Sequence, residues 1–213
     1  MERDQKKLEL KDVLLPTHVK PSKYFVEITP HFESFSFNGF ETIEIEVLSA
    51  TSKVVVHSKE IQIKAVDFIH HDARLAATDI SLDEKADTAT FTFERELPLG
   101  HAKLHVTFVG QLNDQMAGFY RTKYAARDGS QKWGGCTQFE PTDARRAFPC
   151  WDEPAIKAVF EIALVIPKDM LGLSNMPVVS EILDESTGRK TLKFGPTPVM
   201  YGHPLSPALY TFA

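Results

Sequence analysis

Alternation constrains this chain more than any other feature. From residue 43 to residue 47, Ile43, Ile45 and Val47 alternate with Glu44 and Glu46. That is the two-residue period of a strand with one face buried and one in water. The repeat returns along the chain: Tyr24, Val26 and Ile28 up to Pro30, which ends that run; Val54 to Val56; Ile61 and Ile63; Thr88 to Phe93; Leu104, Val106 and Phe108 up to Gly110; Phe160, Ile162, Leu164 and Ile166, closed by Pro167; and Lys190 to Phe194. Helical periodicity is confined to short stretches. Many short strands separated by Gly, Pro, Asn and Asp predict an all-β fold, an antiparallel β-sandwich or a saddle-shaped double sheet. With no internal repeat or low-complexity tract in 213 residues, the expected organisation is a polar lead over 1–14 and a single β domain over 15–213.

Charge and composition remove several classes of function. A net charge of −5 without long like-charge runs offers no basic face for nucleic acid. The densely charged first twelve residues lack the apolar centre of a signal peptide. The uncharged tail from Phe194 carries Pro196, Pro198, Pro204 and Pro207, so no membrane span is expected there. Two cysteines, Cys136 and Cys150, and no N-x-Ser/Thr acceptor point to reduced thiols and a cytoplasmic location.

No local pattern announces catalysis. The chain has no H-E-x-x-H run; His70-His71 and the pair His101 and His105 are its close histidine groups, and neither set has the spacing of a compact metal site. No G-x-S-x-G elbow occurs, neither cysteine sits in a nucleophile signature, and Gly134-Gly135 lacks the frame of a phosphate loop. Cys150 beside Trp151 reads as a small buried hydrophobe. The expectation is therefore no catalytic residue and no metal ligand in this chain.

The informative stretch is 118–160. Two strand-like runs, Gly118 to Tyr124 and Gln131 to Phe139, flank Arg127-Asp128-Gly129-Ser130, a hairpin signal. Gln138 and Glu140, two residues apart, emerge on one face at its end. A carboxylate beside an amide carbonyl can accept hydrogen bonds from a primary ammonium group, or the two can simply face water. Thr142 is placed to cap a brief helical turn over Asp143 to Phe148. Arg145 and Arg146, among Asp143, Asp152 and Glu153, can bind an anion or lock the loop by internal ion pairs.

The run from Thr137 to Ala158, T-Q-F-E-P-T-D-A-R-R-A-F-P-C-W-D-E-P-A-I-K-A, resembles the signature near the end of the N-terminal domain of the gluzincin zinc aminopeptidases, close to the puromycin-sensitive branch. Pro21 to Tyr24, Phe37 to Gly39, His57 to Lys59, Gly110 to Arg121 and Leu173 to Met176 are similar to that family in order and spacing, so the resemblance runs from about Leu15 to Met200. It implies the saddle-shaped β domain that covers a catalytic domain, with Gln138 and Glu140 helping to hold the substrate's free α-amino group. It also implies zinc, in a catalytic domain whose H-E-x-x-H, downstream Glu and Tyr are not in this sequence, so the chain alone is expected to be inactive. The expected partners are a peptide N-terminus and a catalytic domain in cis or in trans, with self-association through the surface that would meet it. A freestanding, non-catalytic binding module on the same scaffold is the alternative. After Met200 the chain departs from the family pattern, and two prolines there are expected to weaken a last strand.

Overall fold

The computed structural model describes residues 14–126 and 128–202 together with the backbone of 208–211; all but the last residue of the expected polar lead lies outside these, as does Arg127. The strands are β1 (Val19–His31), β2 (Ser36–Val47), β3 (Lys53–His57), β4 (Ile61–His70), β5 (Ala73–Ala76), β6 (Asp79–Asp83), β7 (Thr88–Thr92), β8 (Gly100–Gln111), β9 (Gly118–Ala125), β10 (Gln131–Gln138), β11 (Val159–Pro167), β12 (Met170–Leu173), β13 (Val178–Asp184), β14 (Arg189–Phe194) and β15 (Ala208–Thr211). No α-helix occurs among the described residues. The chain is all-β, as the alternation requires.

The described residues form three sheets: β13-β14-β11-β1-β2-β8-β4-β5, β12-β15-β10-β9 and β3-β7-β6. All three contribute side chains to one hydrophobic core, with Ile43, Leu104 and Phe108 from the large sheet, Phe119 from the second and Val56 and Phe91 from the third. The alternating runs account for this directly, since each presents its apolar set inward. Gly39 and Gly110 make the aromatic packing possible: a Cβ at Gly39 would lie 2.2 Å from the Phe108 ring and one at Gly110 2.1 Å from the Phe37 ring. Each glycine pairs across the strands with the phenylalanine whose ring covers it.

Three expectations change. The large sheet is mixed, because β1 pairs in parallel with β11, from Lys23 opposite Val159 to Ile28 opposite Leu164. Pro30 does not end its strand but lies inside β1. The parallel ladder stops at Ile28. A residue without an N–H is tolerated past that point, and the Pro30 carbonyl accepts a 2.9 Å bond from Arg189 Nη2. At the tail a last strand does form: β15 pairs with β12, and through Leu209 with Gly135 of β10. Pro204 and Pro207 fall outside the described residues.

One inward position of β2 breaks the apolar pattern of its neighbours. Glu41 shares the inward parity of Ile43, Ile45 and Val47, sits opposite Val26 and Val106, and is 0% exposed. Neither carboxyl oxygen has a hydrogen-bond partner among the described residues. Desolvation drives its pKa well above the usual carboxylate range and so favours the neutral form.

Candidate functional site

The β9–β10 hairpin delivers the predicted pair. Asp128 organises its turn, accepting bonds from the Ser130 backbone N–H at 2.9 Å and hydroxyl at 2.6 Å. The ladder runs to its final rung, Gln138 opposite Gly118. Alternation continues past the strand's end: Gln138 and Glu140 are exposed while Phe139 between them is buried, edge-on to Phe148 at 6.1 Å. Phe148 in turn packs edge-on against Tyr24 and Phe160, which stack at 4.8 Å. Phe139 thus anchors the segment, and its neighbours turn to solvent on the same side.

The chain then folds back through a single 3₁₀ turn, Ala144–Arg146. Asp143, not Thr142, precedes this turn, and it makes no side-chain cap. Its carboxylate instead accepts from Arg146 Nε at 2.7 Å, and its backbone N–H donates to the Phe139 carbonyl at 2.8 Å. Arg146 Nη1 meets Glu60 in a second ion pair. Arg145 is buried and donates through Nε to Asp152 at 2.9 Å, with Asp87 3.9 Å from its Nη1. The internal network, one of the two roles open to the arginine pair, is what the fold builds. Glu153 takes no part in it and accepts from the Leu15 N–H at 2.6 Å.

A third segment completes the platform. His57 and Cys150 exchange backbone bonds of 2.8 and 3.0 Å, Lys59 N–H donates to the Arg145 carbonyl at 2.9 Å, and Asp152 N–H donates to His57 Nδ1 at 3.1 Å. A ring that accepts at Nδ1 must be neutral there. Burial, reinforced by the Arg145 charge, lowers the His57 pKa to about 4 and keeps it so. Cys150 is buried, and burial pushes its thiol well above the ordinary range, which suits a packing residue and not a nucleophile. No three His, Cys, Asp or Glu side chains converge for a metal ion among the described residues. The donor set therefore does not fit a zinc ion.

Sequence reasoning placed Gln138, Glu140, Arg145 and Arg146, and marked His57 only as part of a family-like segment; it missed Glu60 and Asp87. They reach the site from 50 or more positions upstream, His57 from the end of β3, Glu60 from the β3–β4 loop and Asp87 from the β6–β7 turn, and no local pattern gives their role. Glu41 did carry a signal, because its parity matches the apolar face.

The Peptidase M1 N-terminal domain model matches residues 20–201. The chain belongs to this family. Among its M1 relatives, "Aminopeptidase 2" of Candida albicans is 43% identical over 188 residues, covering 88% of this chain and 20% of that protein. "Puromycin-sensitive aminopeptidase" of Caenorhabditis elegans is 37% identical over 187 residues, 87% of this chain and 20% of the relative. "Alanine/arginine aminopeptidase" of Saccharomyces cerevisiae is 40% identical over 196 residues, 88% and 22% respectively. The chain thus spans about a fifth of the length of these M1 proteins. No helix among its described residues is long and apolar enough to cross a membrane.

Proposed function

We propose that residues 15–213 act as the substrate-edge domain of a cytoplasmic zinc aminopeptidase, removing N-terminal amino acids from peptides only together with a catalytic domain in cis or in trans. The observation that carries this reading is the exposed pair Gln138 and Glu140 on either side of the buried Phe139 anchor. A carboxylate and an amide oxygen on one rigid edge accept hydrogen bonds from the primary ammonium group of a peptide N-terminus and give nothing to an acylated one. The names of the relatives, aminopeptidases all, support the substrate class. Zinc belongs in this reading to the catalytic domain, and no chemical step is assigned to the metal here.

The experiment has two arms. Purified chain should not hydrolyse aminoacyl-coumarins. In an active enzyme carrying this domain, Glu140→Gln should raise KM about tenfold or more, with a smaller change in kcat, by removing the charge that captures the amine. Chelator-sensitive hydrolysis by the chain alone, or unchanged kinetics in the variant, would overturn the proposal.

A further inference from the structure

The last rung of the hairpin and the turn that follows Glu140 are built as one unit. Gly118, directly opposite Gln138, has φ +68°, and a Cβ there would lie 2.4 Å from Arg146 Cβ and 3.2 Å from the Asp143 carbonyl oxygen. The 3₁₀ turn is therefore seated on the backbone of the rung that carries Gln138. Arg146 holds it there from the other side: its Nε bonds Asp143 at 2.7 Å, its Nη1 pairs with Glu60 in the β3–β4 loop, and its side chain is only 14% exposed. Arg145 has a different task, being buried against Asp152 beneath the loop. Loss of Arg145 strikes the core, whereas the Arg146 guanidinium makes its ion pairs with Asp143 and Glu60 at the turn.

We infer that Arg146 is a positioning residue for the amine-facing edge, fixing Glu140 relative to Gln138 by clamping the turn between Asp143 and Glu60. This rests on the amine-recognition reading above. A planar guanidinium suits the task, since it can engage two carboxylates in fixed directions where an ammonium point charge cannot. Removing it frees the turn to shift while the β9–β10 ladder and Phe139 stay in place, and a displacement of that kind degrades recognition without melting the domain.

The test uses the full 213-residue chain, isotope-labelled and titrated with leucine amide, with N-acetyl-leucine amide as the blocked probe. Wild type should show weak, millimolar-range shifts at the Gln138 side-chain amide and the Glu140 backbone amide with the amine alone. Arg146→Gln should weaken that binding about tenfold, Arg146→Lys less, and Glu60→Gln, which alters only a half-exposed outer contact, about threefold. The Arg146→Gln/Glu60→Gln double variant should be no worse than Arg146→Gln alone, because both act through one bridge. Should wild type bind the amine and both Arg146→Gln and Glu60→Gln bind it equally well, the positioning role is overturned while the amine site stands. Identical shifts from the acetylated probe, or none from either, overturn the amine site itself and the inference with it. If Arg146→Gln does not fold, Glu60→Gln alone decides.

Discussion

Replacing Glu41 by leucine should make the domain more stable, and by an amount that depends on pH. The carboxyl is wholly buried with no partner for either oxygen among the described residues. An unsatisfied buried polar group costs about 1–3 kcal/mol, and leucine fills a similar space with apolar atoms opposite Val26 and Val106. Proton linkage adds to this. The folded pKa is raised, so between the ordinary value of 4.5 and the folded value the native state binds more protons than the unfolded chain. Stability is then lost as pH rises, at about 1.4 kcal/mol per pH unit. Relief of the unsatisfied carboxyl alone should raise Tm by about 2–12 °C, at roughly 2–4 °C per kcal/mol for a chain of this size, and the linkage makes the gain larger at pH 7 than at pH 4. Near pH 4 the gain should fall to the smaller, pH-independent part. Urea and thermal denaturation followed by Trp133 and Trp151 fluorescence from pH 4 to 8 will measure it, with Glu41→Gln as a control that removes the pH slope and keeps a buried polar group. A difference between wild type and Glu41→Leu that is flat with pH, or a leucine variant that is less stable at pH 7, would refute the reasoning.

Three further outcomes are expected. Arg145→Met leaves the Asp152 carboxylate buried without its 2.9 Å partner and should cost about 3–5 kcal/mol in urea, most of it recovered by adding Asp152→Asn. Gly118→Ala forces a side chain into a φ of +68° and against Arg146, and should lower stability by about 2 kcal/mol in the same assay. His57 works in the opposite direction to Glu41: with its folded pKa lowered from 6.5 to about 4, the unfolded chain binds the extra proton between those values. Its contribution is complete above pH 6.5 and falls by about 3 kcal/mol towards pH 4; His57→Asn should flatten that acid limb.

What the sequence discloses here is what local chemistry can write. Alternation in 43–47 and 104–108 located the inward faces, and the two-residue spacing of Gln138 and Glu140 placed both on one side of a strand end, with buried Phe139 between them. Strands β5, β6 and β13 escaped because they are largely exposed, so no apolar period marks them, and β12 because its four residues bury only Met170 and Gly172. The parallel pairing of β1 with β11 and the reach of His57, Glu60 and Asp87 to the arginine pair are long-range geometry, which spacing along a chain does not encode. Pro30 misled because the rule that proline ends a strand applies to a paired edge, and beyond Ile28 the β11 side of β1 no longer asks for an N–H.

That β1–β11 ladder also sets a timetable for synthesis. Lys23 meets Val159, and 159 minus 23 is 136 positions of chain. The β1–β2 hairpin is local and can close as soon as both strands leave the ribosome, yet its other edge must wait for β11. At about 5–20 residues per second that wait is about 7–27 s. For that interval the nascent domain presents an open strand rich in apolar side chains, from Tyr24 to Ile28, to whatever else is in solution. A trigger-type chaperone or slowed translation through this region should therefore affect its yield more than any property of the finished fold.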